Sequence, residues 1–189
     1  MSTALEVEVK LRVENLSALG LRLQQSGFRL VTPRTHEMNT LYDFADGRLR
    51  LRGEVLRIRL YGDKWTVTHK SKGIAGKHKS RAETETQVGN GEALAHIFQS
   101  LGLQPAFRYE KYRAEWSDDE GHVVLDETPI GDIAELEGPP DWIDRIAAQL
   151  GIRESEYITM SYSQMFYEWR RKTGSKAAEM TWKEVENRR

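Results

Sequence analysis

Apolar and charged residues alternate along much of this chain. Leu5-Glu6-Val7-Glu8-Val9-Lys10-Leu11 shows it most plainly. In a strand, successive side chains point to opposite faces. Glu6, Glu8 and Lys10 therefore share one face, and Leu5, Val7, Val9 and Leu11 the other. The pattern predicts a first strand over residues 4–12 and further strands over 55–60, 65–70, 81–88, 107–116, 122–126 and 133–137. Tyr61-Gly62-Asp63-Lys64 and Ser117-Asp118-Asp119-Glu120-Gly121 carry the composition of hairpin turns. Residues 28–31 and 39–44 read as two extended pieces interrupted at Pro33. Residues 48–53 alternate as well but are read as a loop, as are 71–80, which are rich in Gly and Lys.

A helical period appears elsewhere. Asn15 is the N-cap of a helix to Ser26 carrying Leu16, Leu19, Leu21 and Leu23, and Gly27 stops it. Residues 92–101 set Leu94, Ile97, Phe98 and Leu101 at helical spacing before Gly102. Pro140 opens a helix to Leu150 with Trp142, Ile143, Ile146 and Ala147 on one face. Ser161 starts a last helix to Lys172. About eight strands with three or four helices, joined by short turns, predict an α+β fold with antiparallel pairing. Residues 1–170 are expected to be one domain, and 171–189 a charged C-terminal tail.

Composition narrows the chemistry. Acidic and basic side chains nearly cancel, 29 against 28, which argues against a nucleic-acid partner. There is no cysteine, so zinc ribbons, disulfides and thiol catalysis are excluded. The five histidines lack a short metal-ligand spacing and are not expected to be catalytic. No apolar run approaches the length of a membrane span, so no membrane association is expected and the chain reads as cytoplasmic. Gly73-Ile74-Ala75-Gly76-Lys77 has two residues between its glycines and His78 after the Lys, which does not fit a phosphate-binding P-loop.

The charged faces change the picture. Charges two residues apart recur as Glu6, Glu8 and Lys10; Arg57 and Arg59; Arg81, Glu83 and Glu85; Lys111 and Arg113; and Glu135 and Glu137, with Lys70 and Asp126 at strand ends. A solvated sheet mixes Thr, Ser and Gln freely into its outer face. Here most strands contribute Arg or Glu in phase, backed by apolar residues. Curling such a sheet into a barrel with the charges inside leaves the apolar face outward for helices to cover. Buried charges are costly unless paired or bound to counter-ions. Carboxylates suit a hard divalent cation, and Arg and Lys suit phosphate oxygens.

With these residues the chain resembles the CYTH family, the triphosphate tunnel metalloenzymes, which include class IV adenylate cyclases, thiamine triphosphatases and inorganic triphosphatases. The resemblance rests on Glu6-x-Glu8-x-Lys10, Leu56-Arg57-Ile58-Arg59, Thr68-x-Lys70, Arg81-x-Glu83-x-Glu85, Lys111-x-Arg113, then Asp126, Gly131 and Glu135-x-Glu137, and finally Ser161-Tyr162-Ser163. These motifs run in order from about residue 4 to 167. The resemblance implies an eight-stranded antiparallel barrel open as a tunnel, with Mg²⁺ or Mn²⁺ inside. It implies Glu6, Glu8, Asp126, Glu135 and Glu137 as metal ligands. It implies Lys10, Arg57, Arg59, Lys70, Arg81, Lys111 and Arg113 as phosphate binders, with Glu83 and Glu85 supporting them or holding a second metal. Two positions depart from the pattern. Leu41 stands where thiamine triphosphatases carry an aromatic residue that partners the Lys matching Lys70. Met160 stands where many relatives carry a Lys, leaving Lys72, Lys77 or Lys79 as substitutes.

The expected function is metal-dependent hydrolysis of inorganic or nucleoside triphosphate. Lys10 or Lys70 is expected to help activate water, through a pKa lowered by neighbouring cations. The alternatives are a class IV adenylate cyclase making cyclic AMP and pyrophosphate from ATP, and a non-catalytic polyphosphate- or nucleotide-binding module. The expected partner is a triphosphate-bearing small molecule, and the candidate assembly is a homodimer.

Overall fold

A computed structural model describes residues 3–74 and 76–186. Eight strands run in the order β1 (Thr3–Arg12), β2 (Arg29–Phe44), β3 (Val55–Tyr61), β4 (Lys64–Lys70), β5 (Lys79–Val88), β6 (Leu103–Ser117), β7 (His122–Glu127) and β8 (Ile133–Glu137). They close into one barrel with the neighbour order β1-β5-β4-β3-β2-β6-β7-β8. Every strand pair is antiparallel, including the closing pair of β1 with β8. The α+β barrel expected from the alternating pattern is therefore present.

The helices are α1 (Leu16–Gln25), α2 (Arg48–Leu51), α3 (Gly91–Ser100), α4 (Pro140–Gln149), α5 (Tyr162–Thr173) and α6 (Trp182–Glu186). Asn15 caps α1 by accepting from the Ala18 amide, and Asn90 does the same for α3 at Ala93. Ser161 and Gln164 form a reciprocal capping box at α5. Val9 and Leu11 turn outward from β1 and join Leu19, Leu23, Trp142, Ile143 and Ile146 in the largest apolar cluster, which seats α1 and α4. A second cluster places α5 over Phe107 and Tyr109. A third seats Leu94 and Phe98 of α3 against Tyr42, Ile58 and Leu103. So tight is the seat of α3 that a Cβ on Gly91 would lie 2.1 Å from the Trp65 ring.

Two local expectations are corrected. Arg29–Phe44 form one long strand, not two pieces. Register shifts between Leu30 and Thr35 accommodate Pro33, which cannot donate to the ladder, and pairing with β6 continues on both sides. Residues 48–51 are a single helical turn. The Asp43 carboxylate accepts from the Leu49 and Arg50 amides at its start, a local bond that outweighs the weak alternation.

Residues 177–185 pack against the barrel. Ala177, Met180, Thr181 and Val185 are buried, and Met180 makes a parallel bridge to Tyr109.

Candidate active site

Antiparallel register decides which charges meet. Directly paired residues share a face, and the pairs are largely of opposite sign: Glu6 with Arg81, Glu8 with Lys79, Lys10 with Glu135, Lys70 with Glu83, and Arg113 with Asp126. All of these but Asp126 line one cavity inside the barrel, together with Arg57, Arg59, Glu85, Lys111 and Glu137. Its volume is about 160 Å³, roughly that of five water molecules.

The first wall is built on β1. Glu6 accepts from Lys70 Nζ at 2.7 Å and Arg81 Nε at 3.0 Å. Glu8 accepts from Lys10 Nζ at 2.6 Å on one oxygen and Lys79 Nζ at 2.8 Å on the other. Because β8 closes onto β1, Glu137 lies opposite Glu8. Glu6, Glu8 and Glu137 each bring one oxygen within 4.8 Å of the others. Burial works against ionisation of Glu6, but Lys70 and Arg81 hold it below its ordinary value. Burial likewise opposes Glu8, and Lys10 and Lys79 outweigh it. Glu137 goes the other way: burial, reinforced by the charge on Glu135, pushes its carboxyl well above the ordinary range. Three crowded carboxylates, one of them reluctant to ionise, make an oxygen-only donor set of the kind that suits a hard divalent cation.

The second wall is an anchor. Asp126, fully buried, accepts two bonds from Arg113 and one from Lys111 Nζ at 2.9 Å. The Tyr162 hydroxyl also donates to it. Arg113 Nη2 reaches Glu135 at 2.9 Å. Burial disfavours the charge on Glu135, yet Lys10 and Arg113 hold it well below its ordinary value. Asp126 thus lies among cations, whereas Glu135, held by Lys10 and Arg113, also touches Glu137 at the edge of the three-carboxylate cluster.

The third wall joins β3, β4 and β5. Arg59 Nη2 donates to Glu85 at 2.9 Å, Lys70 Nζ lies 2.8 Å from Glu83, and Thr68 Oγ1 donates to Glu85 at 2.6 Å. Burial pushes the Glu83 carboxyl up despite Lys70. One expectation fails here. Lys10 is bracketed by Glu8 and Glu135, so although burial disfavours its charge, these carboxylates raise its pKa above the ordinary lysine value. It is the opposite of a lysine prepared to act as a base.

Glu37 and Tyr109 reach the charged network unannounced by the sequence, and Tyr162, present there only as a motif residue, joins them. Glu37 on β2 is fully buried and faces Lys111 at 3.6 Å, Arg113 at 3.8 Å and Arg59 at 3.9 Å. Tyr109 on β6 accepts from Arg57 Nη1 at 3.4 Å and stacks on Tyr162. Tyr162 lies under the Lys111 ammonium at 4.4 Å. Tyr109 was within reach, since it precedes Lys111 and Arg113 at the same period of two. Leu41 lines the cavity and Tyr42 packs outside against Phe98, as their alternation requires. His69 points outward near Glu54. Arg48, Arg50 and Arg52 lie outside this cavity.

No helix among the described residues is long and apolar enough to cross a membrane. The chain is similar at 24% identity over 172 residues to a Methanocaldococcus jannaschii protein provisionally named an adenylate cyclase, covering 85% of this chain and 98% of that protein. A Vibrio parahaemolyticus structure with the same provisional name superposes with a TM-score of 0.75 at 19% identity, covering 88% of this chain and 99% of that one. A Hippeastrum protein provisionally named an adenylyl cyclase, and described as having a dominant triphosphatase activity, superposes with a TM-score of 0.63 at 20% identity over 86% of this chain and 95% of that one. Residues 4–140 match the CYTH domain, and with that span the chain belongs to the CYTH family.

Proposed function

We propose that the chain is a divalent-cation-dependent enzyme that hydrolyses inorganic or nucleoside triphosphate inside the barrel. The observation that carries this reading is the placement of the Glu6, Glu8 and Glu137 cluster in the same cavity as Arg57, Arg59, Lys70, Arg81, Lys111 and Arg113. Glu6, Glu8 and Glu137 would hold Mg²⁺ or Mn²⁺. Bound there, the ion would supply Lewis-acid polarisation of phosphoryl oxygens and neutralise developing charge. Asp126 and Glu135 fix Lys111 and Arg113 in place rather than ligating the ion. Arg57 and Arg59, steered by Glu85, and Arg81, steered by Glu6, present their remaining N–H groups to phosphate oxygens. Lys70 bridges Glu6 and Glu83 and positions the attacking water. Glu83, whose carboxyl burial pushes up and which sits 2.8 Å from the Lys70 ammonium, accepts the water's proton. This replaces Lys10 as the base and leaves it as a phosphate contact.

The second reading is cyclisation of ATP, favoured by the provisional names of the Methanocaldococcus and Vibrio proteins. Purified protein incubated with Mg²⁺ or Mn²⁺ and, in turn, triphosphate, ATP or thiamine triphosphate separates the readings. Phosphate release from triphosphate or ATP supports hydrolysis, and cyclic AMP with pyrophosphate supports the cyclase. Tight binding without product would make the barrel a binding module and sink both.

A further inference from the structure

Two lysines on the segment joining β4 to β5, and a third at the start of β5, face three ways. Lys72 is exposed. Lys77 turns outward, with Nζ 3.0 Å from both Asp144 on α4 and Glu154. Lys79 turns inward, lines the cavity and bonds Glu8 Oε1 at 2.8 Å. We propose that Lys79 is a phosphate-contacting residue of the barrel interior, and that Asp144 is a positioning residue that clasps the segment delivering it. The proposal rests on the triphosphate reading above.

The clasp is one carboxylate on which three side chains converge. Asp144 Oδ1 lies 2.9 Å from His78 Nε2 and accepts from the Tyr157 hydroxyl at 3.1 Å, while Oδ2 holds Lys77. His78 adjoins Lys79, and alternation at the start of β5 sends the two to opposite sides of the wall. A tether on the outer residue therefore fixes the backbone from which the inner one reaches. Ser71 and Ile74 extend the β4–β5 hairpin. Ile74 donates to Ser80 O at 2.8 Å, and Ser71 to Ala82 O at 2.9 Å.

The contacts of the two lysines on Glu8 separate their tasks. Lys10 lies between Glu8 and Glu135 and is held from both sides. Lys79 bonds the Glu8 oxygen opposite to that of Lys10. A divalent ion in the Glu6, Glu8 and Glu137 cluster would compete with this ammonium for Glu8. The flexible lysine stem then lets the ammonium turn to a phosphate oxygen, where its charge is needed once the anion has entered. Ion binding and phosphate binding are thereby linked through one carboxylate.

Calorimetric titration of inorganic triphosphate in the presence of Mg²⁺, alongside steady-state turnover, tests this. Lys79→Ala is expected to weaken triphosphate binding by about tenfold, the loss of one charge-assisted hydrogen bond, and Lys79→Arg to restore most of it. Asp144→Asn is expected to raise KM while leaving kcat nearly unchanged, and to add nothing in the Lys79→Ala background. Lys72→Ala is expected to change neither. Unchanged affinity in Lys79→Ala overturns the assignment of Lys79. An Asp144→Asn effect of equal size with and without Lys79 overturns the clasp. Wild-type protein that binds triphosphate but never turns it over overturns the enzymatic reading, and the Lys79 comparison then stands or falls on binding. Wild-type protein that fails to bind triphosphate overturns both.

Discussion

The Arg113 guanidinium grips the Asp126 carboxylate with two parallel hydrogen bonds, Nε to Oδ1 at 2.8 Å and Nη2 to Oδ2 at 2.7 Å. Lys111 and Tyr162 occupy the same carboxylate. An aspartate so engaged is an internal counter-ion, and removing it leaves two buried cations short of charge. Asp126→Ala is therefore expected to cost about 3–5 kcal/mol of stability. Glu137→Gln removes a carboxyl that already resists ionisation and is expected to leave stability nearly unchanged. Urea denaturation of the two variants checks the contrast. The opposite ranking would show that Asp126 is not an anchor.

Ion binding has its own signature in the folded-state equilibrium. A ligand that binds only the native state stabilises it by RT ln(1 + [L]/Kd), about 2.7 kcal/mol at a hundredfold excess over Kd. Wild-type protein is expected to melt at higher temperature as Mg²⁺ or Mn²⁺ is added. Glu6→Gln and Glu8→Gln are expected to lose that response and the turnover with it, while still unfolding cooperatively. A metal-induced shift that survives in both variants would place the ion elsewhere.

How far the sequence foretold this site depended on what a period of two can convey. It says which residues of one strand share a face, and so it grouped Glu6 with Glu8 and Lys111 with Arg113. It does not give the register between strands. Closure of β8 onto β1 brings Glu137 to the other glutamates and sends Glu135 to Lys10 and Arg113. The five candidate ligand carboxylates are therefore divided in a way that no single strand records. Glu37 was lost for a different reason: Pro33 suggested a break, and the second extended piece was begun at Asn39, two residues past Glu37 on a strand that starts at Arg29. Nor could spacing show that Lys10 would pair with both Glu8 and Glu135.

Glu37 supplies a pH prediction. Burial alone would raise its carboxyl, but Lys111, Arg113 and Arg59 together lower it to about 2. A carboxyl whose folded pKa lies below its unfolded value contributes stability that is fully present above the unfolded pKa and is lost as pH falls through the folded one. The window runs from the ordinary glutamate value of 4.5 down to about 2, and the contribution at neutral pH is on the order of 3 kcal/mol. Glu37→Gln is expected to be less stable than wild type at pH 7. The two curves should converge as the pH drops below 4. Parallel curves across that window would assign the acid sensitivity to other carboxylates.

The last prediction concerns residues 175–189, which the sequence suggested were part of a charged tail. β6 is paired with β7 only from Tyr112 onward, so its edge at residues 108–110 is open on that side. Met180 fills it. Its amide donates to Arg108 O, and its carbonyl accepts from the Glu110 amide, each at 3.1 Å. Trp182 then donates its amide to the Glu110 carboxylate at 2.9 Å and lays its ring on Tyr112 at 5.2 Å. The residue bridged by Met180 is Tyr109, whose hydroxyl meets Arg57 inside the cavity. Ending the chain after Gly174 would expose that edge and remove the buried Met180, Ala177 and Val185. The expected loss is at least about 2 kcal/mol, from burial of the Met180 side chain alone. Triphosphate affinity should fall as well, because the wall carrying Tyr109 loses its outer support. Melting and calorimetric titration of the truncated chain check both. An unchanged affinity with a lowered melting point would confine the segment to stability, and no change in either would mean that it adds nothing to the barrel.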